Sequence, residues 1–181
     1  MSNQTSNPGV SYGLIAGLSL IVFTVLLYLG GVDFFIGGFA YLSYVIVIVF
    51  AVLAPLKKRK ANGGFLPFAD ALKITFTVFA IAFLMQVLFN YILMNYIDTG
   101  FRDALTQATY DKMEQMMKRF GASDEQIDKQ LNVAMQDNPH SLKNAMLGYG
   151  IWCIVFFIVS LIIAAIVKRN KPEFDNSFNQ S

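Results

Sequence analysis

The feature that most constrains this chain is a series of apolar runs, each about 20 residues or longer and almost free of charge, parted by short charged stretches. A helix rises about 1.5 Å per residue, so about 20 apolar residues cross a hydrocarbon core of roughly 30 Å. The runs go from about Val10 to Leu29, from about Phe34 to Leu56, from Pro67 to about Tyr96, and from about Ala145 to Val167. They are too long and too continuous for ordinary core helices. Composition agrees, with 55% hydrophobic and only 14% charged residues, where a soluble domain carries about a quarter charged. In 181 residues such runs leave no room for a separate soluble enzyme domain. The expected fold is all-α, an integral membrane four-helix bundle with an extramembrane helical hairpin between helices 3 and 4.

The punctuation between the runs divides the chain. Residues 1–9 form a polar N-terminal segment, 10–97 carry transmembrane helices 1 to 3, 98–143 form an extracytoplasmic helical hairpin, 144–168 are transmembrane helix 4, and 169–181 are a cytoplasmic tail. Both polar ends are expected to be disordered. Gly30-Gly31-Val32-Asp33 reads as a tight connection, and Asn62-Gly63-Gly64 as a loop leading to Pro67 in the first turn of the third helix, where a missing N–H costs nothing. In the hairpin, Phe101, Leu105, Met113, Met116 and Phe120 share one helix face. Gly121 can end that helix, and Ser123-Asp124-Glu125-Gln126 reads as a capping box opening the next, whose apolar stripe is Ile127, Leu131, Ala134 and Met135. The two stripes are expected to face each other or the membrane surface.

Charge sets the expected orientation. Short loops rich in Lys and Arg stay cytoplasmic. Lys57, Lys58, Arg59 and Lys60 follow the second run, and Lys168, Arg169 and Lys171 follow the fourth, so four spans bring both clusters to one side. The hairpin segment holds six basic residues against eight acidic ones. Both termini are therefore expected inside. No Lys or Arg precedes Lys57, so the first run lacks the basic start of a cleavable signal peptide and is expected to remain. Tyr28, Tyr91, Tyr96, Tyr149 and Trp152 then fall near the outer interface. The basic clusters fit stop-transfer and anionic-lipid contact better than nucleic acid.

Polar residues inside spans are functional candidates by default. Asp70 and Lys73 lie at i and i+3 in the first turns of the third helix, where Asp suits the helix dipole and can pair with Lys. Deeper, Thr75, Phe79, Ala82, Gln86 and Leu93 lie along one stripe with Asn90 at its edge. The amides Gln86 and Asn90 can bond a neighbouring helix or line a substrate path. Gly9, Gly13 and Gly17 recur every fourth residue, and Ser160 and Ala164 repeat the spacing on the fourth helix; such stripes serve internal or dimer contacts alike. Cys153, the single cysteine, has no partner for an internal disulfide. His140 stands alone, so no metal or other cofactor is expected. Cys153 and Ser160 lack a base within their span, and no phosphate-binding Gly-Lys-Ser/Thr loop, His-Glu-x-x-His pair or Gly-x-Ser-x-Gly elbow occurs.

The order of several short motifs carries a family resemblance. Tyr12-Gly13-Leu14-Ile15-Ala16-Gly17 opens the first helix, Phe68-Ala69-Asp70-Ala71-Leu72-Lys73 opens the third, Tyr96-Ile97-Asp98 leaves it, and a stretch from Met117 to Ile127 follows. This order resembles the bacterial membrane family catalogued as domain of unknown function 4199. The family often carries a proline soon after the third helix, where this chain has Thr99-Gly100. The resemblance implies a bacterial inner-membrane location and brings no established activity. The expected role is a non-enzymatic interaction or structural component, in contact with the bilayer and with a membrane-protein partner or further copies of itself. The alternative is a small transporter or channel subunit.

Overall fold

The computed structural model describes residues 7–136 and 138–171. Most of the two polar ends, including Ser177 in the tail, lies outside the described residues, as does Asp137. Helix α1 (Pro8–Leu29) opens with Pro at its first position and Asn7 as cap, the Asn7 side chain accepting from the Gly9 N–H at 3.0 Å. Helix α2 (Val32–Ile36) and a 3₁₀ turn (Gly38–Tyr41) lead into α3 (Leu42–Ala61). The connection after α1 is thus longer than the tight turn expected. The second apolar run is broken near its start, where Gly37 is extended and a Cβ would run into the Asp33 carbonyl oxygen. Helix α4 (Phe68–Ile92) continues through a π turn (Leu93–Ile97), closed by the Asp98 N–H donating to the Leu93 carbonyl at 2.9 Å.

Helices α5 (Thr99–Arg119) and α6 (Asp124–Gln136) form the hairpin, and α7 (Leu142–Val167) is the last span. Local chemistry explains the turns. The Asp98 carboxylate caps α5 by accepting from the Phe101 N–H at 2.8 Å. Gly121, at φ 79°, ends it with paired bonds, Gly121 N–H to Lys118 carbonyl and Ala122 N–H to Met117 carbonyl. Ser123 and Gln126 then exchange backbone-to-side-chain bonds in a capping box. Ser141 caps α7, one turn earlier than the apolar run begins.

Among the described residues four helices are long and apolar enough to cross a membrane: Pro8–Leu29, Gly38–Ala61, Phe68–Ile97 and Leu142–Val167. Their outward faces are continuous strips of bare hydrocarbon, Leu14, Leu18, Val22 and Leu26 on α1 and Ile151, Ile154, Ile158, Ile162 and Ile166 on α7. No soluble monomer tolerates that much exposed apolar surface; lipid covers it, and the chain is a multi-pass membrane protein.

Helix α4 is the hub, packing against α1, α3 and α7, while α3 also touches α1 and α7. The shared core is Ala16 and Leu20 from α1, Ala51 and Ala54 from α3, Val78, Phe79 and Ala82 from α4, and Phe156 and Ala164 from α7. Lipid tails are as apolar as these side chains, so close packing rather than water exclusion holds the spans together. The glycine stripe of α1 faces α4. A Cβ on Gly9 would lie 3.0 Å from Ile74 carbonyl oxygen and Thr77 Cβ, one on Gly13 2.9 Å from Ile81 Cβ, and one on Gly17 against the Met85 thioether.

The two basic clusters share one end of the bundle. Arg59 donates to the Val167 carbonyl at 3.0 Å, Lys57 sits over the Tyr12 ring and Lys168 over the Phe68 ring. Arg169, expected in a disordered tail, exchanges two backbone bonds of 2.8 Å with Leu66. At the opposite end Leu93, Met94 and Leu105 form a second small core with Tyr28, Phe35 and Phe101 around it. This core seats only the first half of the hairpin. Met116, Phe120 and Met135 from the expected stripes remain exposed, while α6 packs on α5 and buries Ile127.

Candidate functional site

The polar stripe of α4 spans the bundle. Nearest the basic end, Asp70 and Lys73 are both exposed and make no ion pair with each other, although i and i+3 spacing allows one. Asp70 instead borders an open recess beside Arg169 and Lys171. Thr75, one turn deeper, is fully buried, and its hydroxyl has no hydrogen-bond partner. Phe79 follows, stacked on Phe156 with centroids 4.8 Å apart. Val78, Phe79 and Ala82 are all fully buried, so the basic half of the bundle is solidly packed.

Above that packing the stripe changes character. Gln86 donates from Nε2 to the Thr24 hydroxyl of α1, a contact between spans 62 residues apart in sequence. Its Oε1 and the Asn90 Oδ1, one turn on, are buried and meet no donor. An unpaired amide oxygen away from water is costly, so these two acceptors mark the place where the bundle is incomplete by itself. Gln86 and Asn90 border a cavity of about 170 Å³ with Leu20, Ser43, Tyr44 and Phe156. Asn90 and Phe83 also border a second cavity of about 250 Å³ toward the hairpin, lined by Phe35, Tyr149, Trp152 and His140 among others. Phe83 is the common wall, its ring 5.2 Å from Phe156 and 6.1 Å from Trp152. Among the described residues no Asp, Glu, Lys or Arg lines either cavity.

The hairpin end is held by polar links that spacing alone does not announce. Tyr28 donates to Asp98 at 2.7 Å, joining the end of α1 to the cap of α5. The Phe101 N–H and then the Tyr28 hydroxyl hold the Asp98 carboxylate below its ordinary pKa of 3.8. Asn95, in the π turn, donates to the His140 carbonyl at 3.0 Å. His140 is not isolated in space, because its Nε2 lies 3.0 Å from Thr106 Oγ1. That hydroxyl already donates to the Arg102 carbonyl at 2.8 Å, so it accepts from Nε2–H and the imidazole is the Nε2–H tautomer. Burial first, and the Arg102 charge second, lower the His140 pKa from 6.5, with Asp103 opposing them. The ring is neutral at pH 7.

Among the described residues no three His, Cys, Asp or Glu side chains gather at one place. Cys153 is half-buried with its thiol free of any disulfide. Of the candidates read from sequence, the structure brings Gln86 and Asn90 together at one cavity, keeps Asp70 and Lys73 at the other end, and commits Gly9, Gly13 and Gly17 to the α1–α4 contact. Sequence reasoning missed Thr24 and Phe83, and it read Tyr149 and Trp152 as interface aromatics rather than as walls of a cavity. In an apolar run aromatic and Thr side chains carry no signal of which neighbour they will meet. Chemically the arrangement leaves two buried amide oxygens without donors, next to two mostly apolar cavities.

No curated protein and no solved structure matches the chain. The sequence does match, over residues 11–169, the family described as protein of unknown function, DUF4199. That span takes in all four membrane helices but for the first residues of α1, together with the hairpin, and the chain belongs to this family.

Proposed function

We propose that this chain is a non-enzymatic component of the bacterial inner membrane that holds another membrane component through its hairpin. The observation that carries the reading is the unfinished state of α5 and α6. Phe120 at the hairpin tip is 85% exposed, and Met116, Val133 and Met135 are also exposed, beyond the first half of the hairpin that the small core seats. Exposed apolar side chains gathered on an element that packs poorly on its own protein support a contact surface. Both termini are proposed to be cytoplasmic, supported by the gathering of Lys57 to Lys60 and Lys168 to Lys171 at one end and an excess of acidic residues at the other.

The reading is tested by placing a photoreactive phenylalanine at position 120 or 133 and irradiating native membranes. Discrete protein adducts, lost in a Phe120→Glu, Val133→Glu variant that still inserts, support it. A chain that stays an unadducted monomer overturns it. The alternative of a transporter or channel subunit draws on the amide-lined cavities, but the packed layer of Val78, Phe79 and Ala82 beneath them favours binding over passage. Flux through reconstituted vesicles that disappears on replacing Gln86 and Asn90 by Leu would reverse that preference.

A further inference from the structure

Seven cations crowd the rim where α3 and α7 leave the bundle, and the described residues there offer them one carboxylate. Lys57, Lys58, Arg59 and Lys60 end α3, and Lys168, Arg169 and Lys171 follow α7. The carboxylate is Asp70, which forms an ion pair with none of them; the ion pairs among the described residues, Arg102–Asp103 and Lys118–Glu114, lie in the hairpin. Three of the seven serve the fold. Arg59 bonds the last carbonyl of α7, and Lys57 and Lys168 lie 5.4 and 5.8 Å from the Tyr12 and Phe68 ring centroids. The side chains of Lys58, Lys60, Arg169 and Lys171 make no hydrogen bond, ion pair or ring contact with the described residues. Charges that only set topology can sit on a loose loop, but these are held in place. Two backbone bonds of 2.8 Å between Arg169 and the fully buried Leu66 fix the start of the tail against the α3–α4 loop. Beside that tie lies an open recess of about 600 Å³ bordered by Asn62, Pro67, Asp70, Arg169 and Lys171. Deeper along the same helices the surface is hydrocarbon, since Leu53, one turn before Lys57, and Ile162 and Ile166, just before Lys168, are exposed.

We propose that this rim is a selective site for anionic phospholipid. Headgroup phosphates gather at Lys58, Lys60, Arg169 and Lys171, and acyl chains lie along the exposed strips of α3 and α7. Charge complementarity selects the headgroup. Seven cations against one carboxylate favour a net negative lipid over a zwitterionic one, whose ammonium they repel. The adjoining hydrocarbon selects a lipid over a free anion, because acyl chains in the bilayer hold the phosphate at the level of the rim and so raise its effective concentration. Asp70 opposes the binding and sets its strength. The rim lies at the other end of the bundle from Phe120 and Val133, so it stands or falls apart from the hairpin contact proposed above.

The test titrates the full chain, stripped of native lipid in a mild nonionic detergent, with dioleoyl phosphatidylglycerol, phosphatidylcholine or phosphatidylethanolamine. Bound lipid is read by native mass spectrometry. Phosphatidylglycerol should bind more than about tenfold more tightly than either zwitterionic lipid, each cation contributing up to about fivefold. Replacing Lys58, Lys60, Arg169 and Lys171 together by Gln should abolish that preference while leaving phosphatidylcholine binding unchanged, which separates loss of charge from loss of fold. The pairs Lys58→Gln, Lys60→Gln and Arg169→Gln, Lys171→Gln should each remove part of it. Lys118→Gln with Arg119→Gln, in the hairpin, should leave it intact, and Asp70→Asn should strengthen it. Equal binding of the three lipids, a preference kept by the fourfold variant or lost equally in the hairpin variant, or displacement of phosphatidylglycerol by inorganic phosphate would each overturn the proposal.

Discussion

A hydrogen in place of a side chain is what lets α1 lie against α4. At Gly13 an added Cβ would stand 2.9 Å from the branched Cβ of Ile81, which is fixed to the backbone, whereas at Gly17 the obstacle is the Met85 thioether, which can swing aside. Gly13→Leu should therefore lower stability in mixed micelles by about 1–3 kcal/mol, the range for overpacking, and Gly17→Ala should cost clearly less; equal effects would show that the contact is not the one described. The Thr24–Gln86 bond gives a second comparison at this scale. Thr24→Val leaves the Gln86 Nε2 without its acceptor inside the bundle, a loss of about 1–3 kcal/mol. Gln86→Leu removes that donor and the orphaned Oε1 at once, so it should be the milder change in the same unfolding assay.

At the scale of elements, the hairpin is seated by its first half alone, through Leu105 on the π turn and through polar links at His140 and Asp98. The titration of His140 makes that seating pH-dependent. Its folded pKa lies below 6.5, so the unfolded or undocked state takes up a proton first as pH falls. The contribution of the neutral ring is present above 6.5 and is lost progressively below it. Protonation would also set a positive imidazolium beside Arg102. Hydrogen exchange at the start of α5 and α7, corrected for intrinsic rates, should be faster at about pH 5.5 than at about pH 7.5, and His140→Gln should remove that difference. Exchange with the same pH response in the variant would assign the effect elsewhere. The Asp98 cap responds only at far lower pH, since its carboxylate is held below 3.8.

For the whole molecule the testable quantity is sidedness. Asn62 lies in the exposed loop between α3 and α4 at the basic end, and Ser123 lies between α5 and α6. In a Cys153→Ala background, Asn62→Cys and Ser123→Cys should react with a membrane-impermeant maleimide from opposite faces, Ser123→Cys from the outside of intact cells. Reaction of both from one face would break the four-span arrangement itself. Extraction into harsh detergent should loosen the bundle along the α1 and α7 strips, because Leu18, Val22, Ile158 and Ile166 have only lipid to pack against.

How much of this was legible from residues follows from what each signal measures. Length and apolarity of the runs determined the four spans, because bilayer thickness and helix rise leave no other way to satisfy the backbone in lipid. The caps at Ser123 and Gly121 were legible too, being local chemistry. The break at Gly37 and the π turn at Leu93–Ile97 were not, because an apolar run looks the same whether its helix is regular or interrupted. The spacing of Gly9, Gly13 and Gly17 announced a close contact, but only the tertiary structure chose α4 as the partner. In the same way the amides at 86 and 90 were visible as an i, i+4 pair, while Thr24 as the donor's partner and the burial of their oxygens away from any donor were decided by packing. Partner choice between spans rests on shape complementarity among equally apolar faces, and shape exists only once the helices are assembled.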